Sequence, residues 1–124
     1  SDADLCDAIG ITGIMRAYQY AIEKAFRKGL NMSIGEEGSM IFDPNVKPNL
    51  ELTYNEYTDD DSSTDSFINH FFEKLLIVPD FCTTKASRNE VKFRFEAMVN
   101  FLYNFFEEDG YSEWVDYLEK YLGL

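Results

Sequence analysis

Between Phe67 and Phe106 large apolar side chains recur at intervals of three and four, a spacing that admits little besides helices packed against one another. Phe67, Ile68, Phe71, Phe72, Leu75 and Leu76 form one such face, and Pro79 stops it. Ser87-Arg88-Asn89-Glu90 has the form of a capping box opening a longer helix. The stripe of that helix is Val91, Phe95, Met98, Val99, Leu102, Phe105 and Phe106, and Gly110 closes it. Ser112 is placed to cap a last helix that carries Trp114, Val115, Leu118 and Leu122. Upstream, Ile11, Ile14, Met15, Tyr18, Ile22, Ala25 and Phe26 share the same period and predict a first helix with one buried face, starting between Asp2 and Thr12 and capped by Gly29.

Residues 30–57 follow a different rule. Met32 and Ile34 alternate, Gly35-Glu36-Glu37-Gly38 reads as a turn, and Met40, Ile41 and Phe42 follow. Leu50, Leu52 and Tyr54 then alternate with Glu51, Thr53 and Asn55 at a period of two. The expectation is therefore an α+β fold, predominantly helical, with about four helices and a small antiparallel sheet, a hairpin or three-stranded meander, inserted after the first helix.

With 124 residues, of which eleven are Phe, the chain has material for one core, and residues 1–124 read as a single domain. No apolar run reaches the ~20 residues needed to span a bilayer, and Ser1 to Asp7 lack the basic start of a secretory leader. Cys6 and Cys82, far apart and without a second pair, read as reduced thiols inside a cytoplasmic protein.

The formal charge is −12, and it is unevenly spread. Residues 1–30 carry four acids and four bases, 31–65 nine and one, 66–104 four and five, and 105–124 six and one, giving 0, −8, +1 and −5. Such a surface repels phosphate backbones and anionic headgroups, which argues against direct nucleic-acid or membrane binding and for a basic protein partner.

No set of residues assembles into a catalytic motif, so the chain does not read as an enzyme. Asp59, Asp61, Ser63 and Asp65 alternate like the first ligands of a calcium loop, but Thr64 stands where the turn needs Gly and His70 where a bidentate Glu belongs. His70 is the sole histidine, without partners at zinc-ligand spacing, and reads as a boundary residue. Glu36 and Glu37 have no electrophile or second acid pair beside them, and Cys82 reads as inert. No metal or cofactor is expected.

Two acidic segments remain, each with tyrosines beside it. Glu56, Tyr57, Asp59, Asp60, Asp61 and Asp65 form the first, and Asp109, Tyr111, Glu113, Asp116 and Tyr117 the second. If Trp114, Leu118 and Tyr121 face the core, Tyr117 falls on the acidic side with Glu113 and Asp116. Aromatic anchors ringed by carboxylates suit a Lys/Arg-rich partner.

The leading expectation is a small acidic inhibitor or immunity-type protein that neutralises a basic partner, above all a bacterial nuclease toxin. The chain resembles such proteins in size and acidity alone. A nucleic-acid mimic blocking a DNA- or RNA-binding complex uses the same electrostatics, and an adaptor domain docking through its aromatic helix is the alternative from another class. Whether the acidic segments share one face separates the stronger form of the inhibitor reading from the weaker.

Overall fold

The computed structural model describes residues 9–47, 66–77 and 85–123. Four helices account for most of them: α1 (Gly10–Lys28), α2 (Phe67–Ile77), α3 (Lys85–Glu108) and α4 (Ser112–Tyr121). The helices expected from apolar spacing are all present, and the long connection between α1 and α2 is where the expectation fails.

Helix α1 lies along α3, and the two run in the same sense, since Gly10 meets Arg94 while Tyr18 lies level with Phe101. The seam is made of small side chains. Gly10, Gly13, Ala21 and Ala25 are buried with Ile14, and Ala17 packs beside them, which lets the helices approach closely. At Gly10 a Cβ would lie 2.8 Å from Cγ of Arg94. The Arg94 side chain is held there by Glu90, whose Oε1 accepts from Nε at 2.8 Å, and by the carbonyl of Ile9 at 3.4 Å.

The buried stripe of α1 is thus narrower than its apolar stripe. Ile11, Met15, Tyr18 and Phe26, expected in the core, are exposed. Ile14 is buried, and Ile22 and Tyr18 pack at the edge of the core, Tyr18 against Phe67, while Ile11, Met15 and Phe26 stay outside.

Helix α3 buries Val91, Met98, Leu102 and Phe106, as its spacing predicts, while Phe95, Val99 and Phe105 are half-buried. It begins at Lys85, so Ser87 falls within the first turn and does not cap it. The chain reverses at Gly110 and returns as α4, which buries Trp114 and Leu118. Its N-cap is Tyr111, without a side-chain capping bond, and Ser112 is its first residue rather than its cap. The N–H groups of Trp114 and Val115 are instead satisfied by the Tyr111 carbonyl at 3.0 and 3.1 Å.

The expected hairpin is absent: among the described residues there is no strand, so the α+β reading gives way to a helical one. Two bonds tie the limbs of the 31–47 connection, from Met40 N–H to the Asn31 carbonyl (2.8 Å) and from Gly35 N–H to the Phe42 carbonyl (3.0 Å), but no single hairpin register accommodates both. Met40, Ile41 and Phe42 are buried in succession, whereas a strand would turn the middle one outwards. The first two carbonyls face a helix. Met40 and Ile41 accept from the Phe67 and Ile68 N–H groups at 2.8 and 2.9 Å, satisfying donors that the first turn of α2 leaves open. The third segment of the meander, residues 50–55, lies outside the described residues.

Side chains fix the rest of the connection. Asn69, fully buried on α2, accepts from the Asp43 N–H at 3.2 Å and donates to the carbonyls of Asp43, at 3.1 Å, and Val46. Ser39 Oγ accepts from Ile41 and Phe42 N–H, and the Asp43 carboxylate from Gly38 and Asn45 N–H. A stretch whose buried backbone is satisfied in this way needs no ladder.

Candidate functional site

The aromatic cluster that this connection joins defines one end of the molecule. Phe42 is fully buried, with the rings of Tyr111 and Trp114 at 5.0 Å, Phe105 at 5.4 Å and Phe106 at 5.8 Å. Burying one Phe side chain contributes on the order of 1.5–3 kcal/mol, so Phe42 anchors the connection to the corner between α3 and α4. Two residues on, the Pro44 carbonyl accepts from Trp114 Nε1 at 3.3 Å.

The corner carries the second acidic segment. Glu107, Glu108 and Asp109 on the turn, and Glu113 and Asp116 on α4, are exposed. The turn at Gly35–Gly38 comes to the same place. A Cβ on Gly35, whose φ is +85°, would fall on the Tyr111 hydroxyl. The turn that carries exposed Glu36 and Glu37 thus reaches Tyr111, which lies between Asp109 and Glu113 in the chain, and Asn31 Nδ2 donates to Glu36 at 3.0 Å. Exposed carboxylates so stand on two chain segments, some 75 residues apart, that this contact joins.

The tyrosines of the segment are used differently from the expectation. Tyr111 is half-buried between Phe42 and Phe105, the latter stacked at 6.2 Å. Tyr117 is half-buried against Phe72 at 5.5 Å and Trp114 at 5.7 Å. Lys47 covers this edge, with Nζ 4.2 Å from the Trp114 ring centre, 5.1 Å from that of Tyr117 and 3.1 Å from Glu113 Oε1. Tyr121 is half-buried and donates to the Phe72 carbonyl at 3.2 Å. All three half-buried rings brace the core.

On the far side of the α3–α4 pair, Tyr103 donates its hydroxyl to Glu119. That bond, then partial burial and the negative charge of Glu119, Glu107 and Asp116, push its phenol up to about 12. The phenol is thus a fixed donor that ties α4 back to α3.

Of the residues predicted to meet a partner, Asp109, Tyr111, Glu113, Asp116 and Tyr117 come together here. Glu56, Tyr57, Asp59, Asp60, Asp61 and Asp65 lie outside the described residues, as do Cys6 and Cys82. The turn with Glu36 and Glu37 is brought to this corner by the Gly35–Tyr111 contact and Lys47 by its contacts with Trp114 and Glu113, placements that no periodicity signals.

His70 is a boundary residue of α2, as its position suggested. Among the described residues no three His, Cys, Asp or Glu side chains are grouped to hold a metal ion, and no helix is long and apolar enough to cross a membrane. No family model matches the chain, and neither a curated protein nor a solved structure proves similar to it.

Proposed function

We propose that this chain is a small acidic inhibitor of the immunity type, which binds a basic protein through the carboxylates of the α3–α4 corner. The partner class that fits best is a nuclease toxin. An enzyme that holds nucleic acid needs a positive cleft, and a compact surface of fixed carboxylates competes for it. The observation that supports the reading is the contact of Gly35 with Tyr111, which joins the turn carrying Glu36 and Glu37 to the segment carrying Asp109 and Glu113. Carboxylates on two chain segments held by one aromatic cluster are pre-positioned, which lowers the ordering cost of docking. We place this activity in the cytosol, where a nuclease meets nucleic acid.

The test is co-purification from the native host with identification of the captured protein, followed by association kinetics. A basic partner should bind more slowly as salt rises. The triple variant Asp109→Asn, Glu113→Gln, Asp116→Asn should reduce the low-salt association rate by about tenfold while leaving the fold intact. Association rates equal at low and high salt would sink the proposal.

A further inference from the structure

Helix α1 carries a second apolar stripe that the fold covers only in part, where Ile22 packs against the core and the Tyr18 ring meets Phe67 at 5.4 Å. Ile11, Met15, Tyr18, Ile22 and Phe26 follow one another at steps of four, three, four and four, roughly 100° around the helix from the alanine seam. Ile22 is half-buried, but Ile11 is 59% exposed, Met15 66%, Tyr18 46% and Phe26 81%. Beyond Met15 and Tyr18 the stripe continues across a shallow groove of about 290 Å³, with only apolar side chains lining it, to exposed Ile34. A continuous apolar strip of this length on a chain so rich in charge marks a covered surface.

We propose that α1 pairs antiparallel with α1 of a second copy of this chain, about a two-fold axis passing beside Tyr18 and Gln19. The stripe complements itself when reversed: Ile11 comes opposite Phe26, Met15 opposite Ile22, and the two Tyr18 side chains meet near the axis, as a two-fold interface requires. The charges agree with the same register. Thr12 and Gln19 border the stripe on its solvent side, with Arg16 and Glu23 one step further out, where Glu23 accepts from Gln19 Nε2 at 3.2 Å; antiparallel pairing puts each Arg16 on the same edge as the other copy's Glu23, within reach of their long side chains.

Helix α1 is also set apart from the acidic excess. It holds Arg16, Lys24, Arg27 and Lys28 against Glu23, an excess of three positive charges, and antiparallel pairing keeps the Lys24–Lys28 ends of the two copies apart, each opposite the other's uncharged first turn. The area suffices. Taking about 200 Å² for each fully exposed large side chain, Ile11, Met15, Tyr18, Phe26 and Ile34 expose on the order of 600 Å². A stable dimer covers about 800 Å² on each partner, and the flanking Thr12, Arg16, Gln19 and Glu23 supply the remainder.

The full chain tests this by sedimentation equilibrium from micromolar to near-millimolar concentration. The expected mass rises from 14.4 kDa towards twice that value, and more readily in high salt, which screens repulsion between two copies of charge −12. Met15→Glu with Phe26→Glu, both at exposed positions, should leave a monomer with an unchanged helical spectrum. Arg16→Glu should weaken the dimer several-fold, and adding Glu23→Arg should restore it, a rescue that general stickiness would not show. A photo-crosslinker at position 15 should join two copies.

A monomer at every concentration and salt overturns the proposal, as does a dimer indifferent to the Met15 and Phe26 changes. Crosslinks confined to the same chain overturn it in favour of residues 48–65 as the cover. Crosslinks only to another protein in host extract overturn it in favour of a hetero-partner.

Discussion

The α3–α4 corner and the outer face of α1 hold similar side chains in opposite arrangements. At the corner, Trp114, Tyr111 and Tyr117 turn inwards around Phe42 and Phe72, and the carboxylates stand outside. On α1 the inward residues are glycines and alanines, and Met15, Tyr18 and Phe26 stand outside. Residue type alone would assign these roles the other way round, aromatics among acids to an interface and a clean helical stripe to the core. The deciding quantity is the room between elements. Where Gly10 of α1 meets Arg94 of α3 there is no room for even a Cβ, and where the 31–47 connection wedges Phe42 between α3 and α4, there is space for four more rings.

The sharpest way to break this comparison is to truncate one aromatic on each side. Phe42→Ala should cost about 3–5 kcal/mol in denaturant unfolding, whereas Phe26→Ala should stay within about 0.5 kcal/mol for the monomer. Similar losses at both sites would show that α1's outer face is a core after all.

Next in size is Asn69→Ala, which strips partners from the buried Asp43 N–H and carbonyl and should cost about 3 kcal/mol in the same measurement. A small loss would mean that Phe42 alone holds the connection to the corner. Lys47→Met, removing an exposed ion pair and a cation over two rings, should cost about 1 kcal/mol or less.

The smallest effect is invisible at neutral pH. Because the folded Tyr103 phenol sits near 12 against an ordinary 10, its contribution is complete below pH 10 and is lost as pH rises towards 12. In an ultraviolet titration of the folded protein one tyrosine should ionise late, and Tyr103→Phe should remove that late phase. Its persistence in the variant would assign the phase to another tyrosine.

Helix existence was legible in the sequence because apolar period reports a local geometry, and Phe67 to Phe72, Val91 to Phe106 and Trp114 to Leu118 obey it whatever they pack against. The 31–47 connection was not legible for the converse reason. Its alternation at Met32 and Ile34 and the glycines of Gly35-Glu36-Glu37-Gly38 satisfy a hairpin locally, while its backbone partners, Phe67, Ile68 and Asn69, lie on a helix further along the chain.

For the candidate site, the carboxylates Asp109, Glu113 and Asp116 could be read as exposed from charge alone. Glu36 and Glu37 could not be assigned to the same surface, since that follows from one aromatic contact at Gly35. The packing of Tyr111 and Tyr117 against Phe42 and Phe72 was not legible, because a helical wheel shows which side chains diverge from the core but not what a neighbouring loop covers.

The dependence of the 31–47 connection on later residues has a consequence for synthesis. A ribosome delivers Asp43 before Asn69 and Pro44 some 70 residues before Trp114. At about 5–20 residues per second, the latter interval is roughly 4–14 seconds. Met40 and Ile41 wait some 27 residues for the Phe67 and Ile68 N–H groups, and Phe42 waits for Phe105, Phe106, Tyr111 and Trp114, so until then its ring has none of these partners. The connection can take its native shape only once nearly the whole chain has been made, so the acidic corner is among the last parts of the molecule to exist.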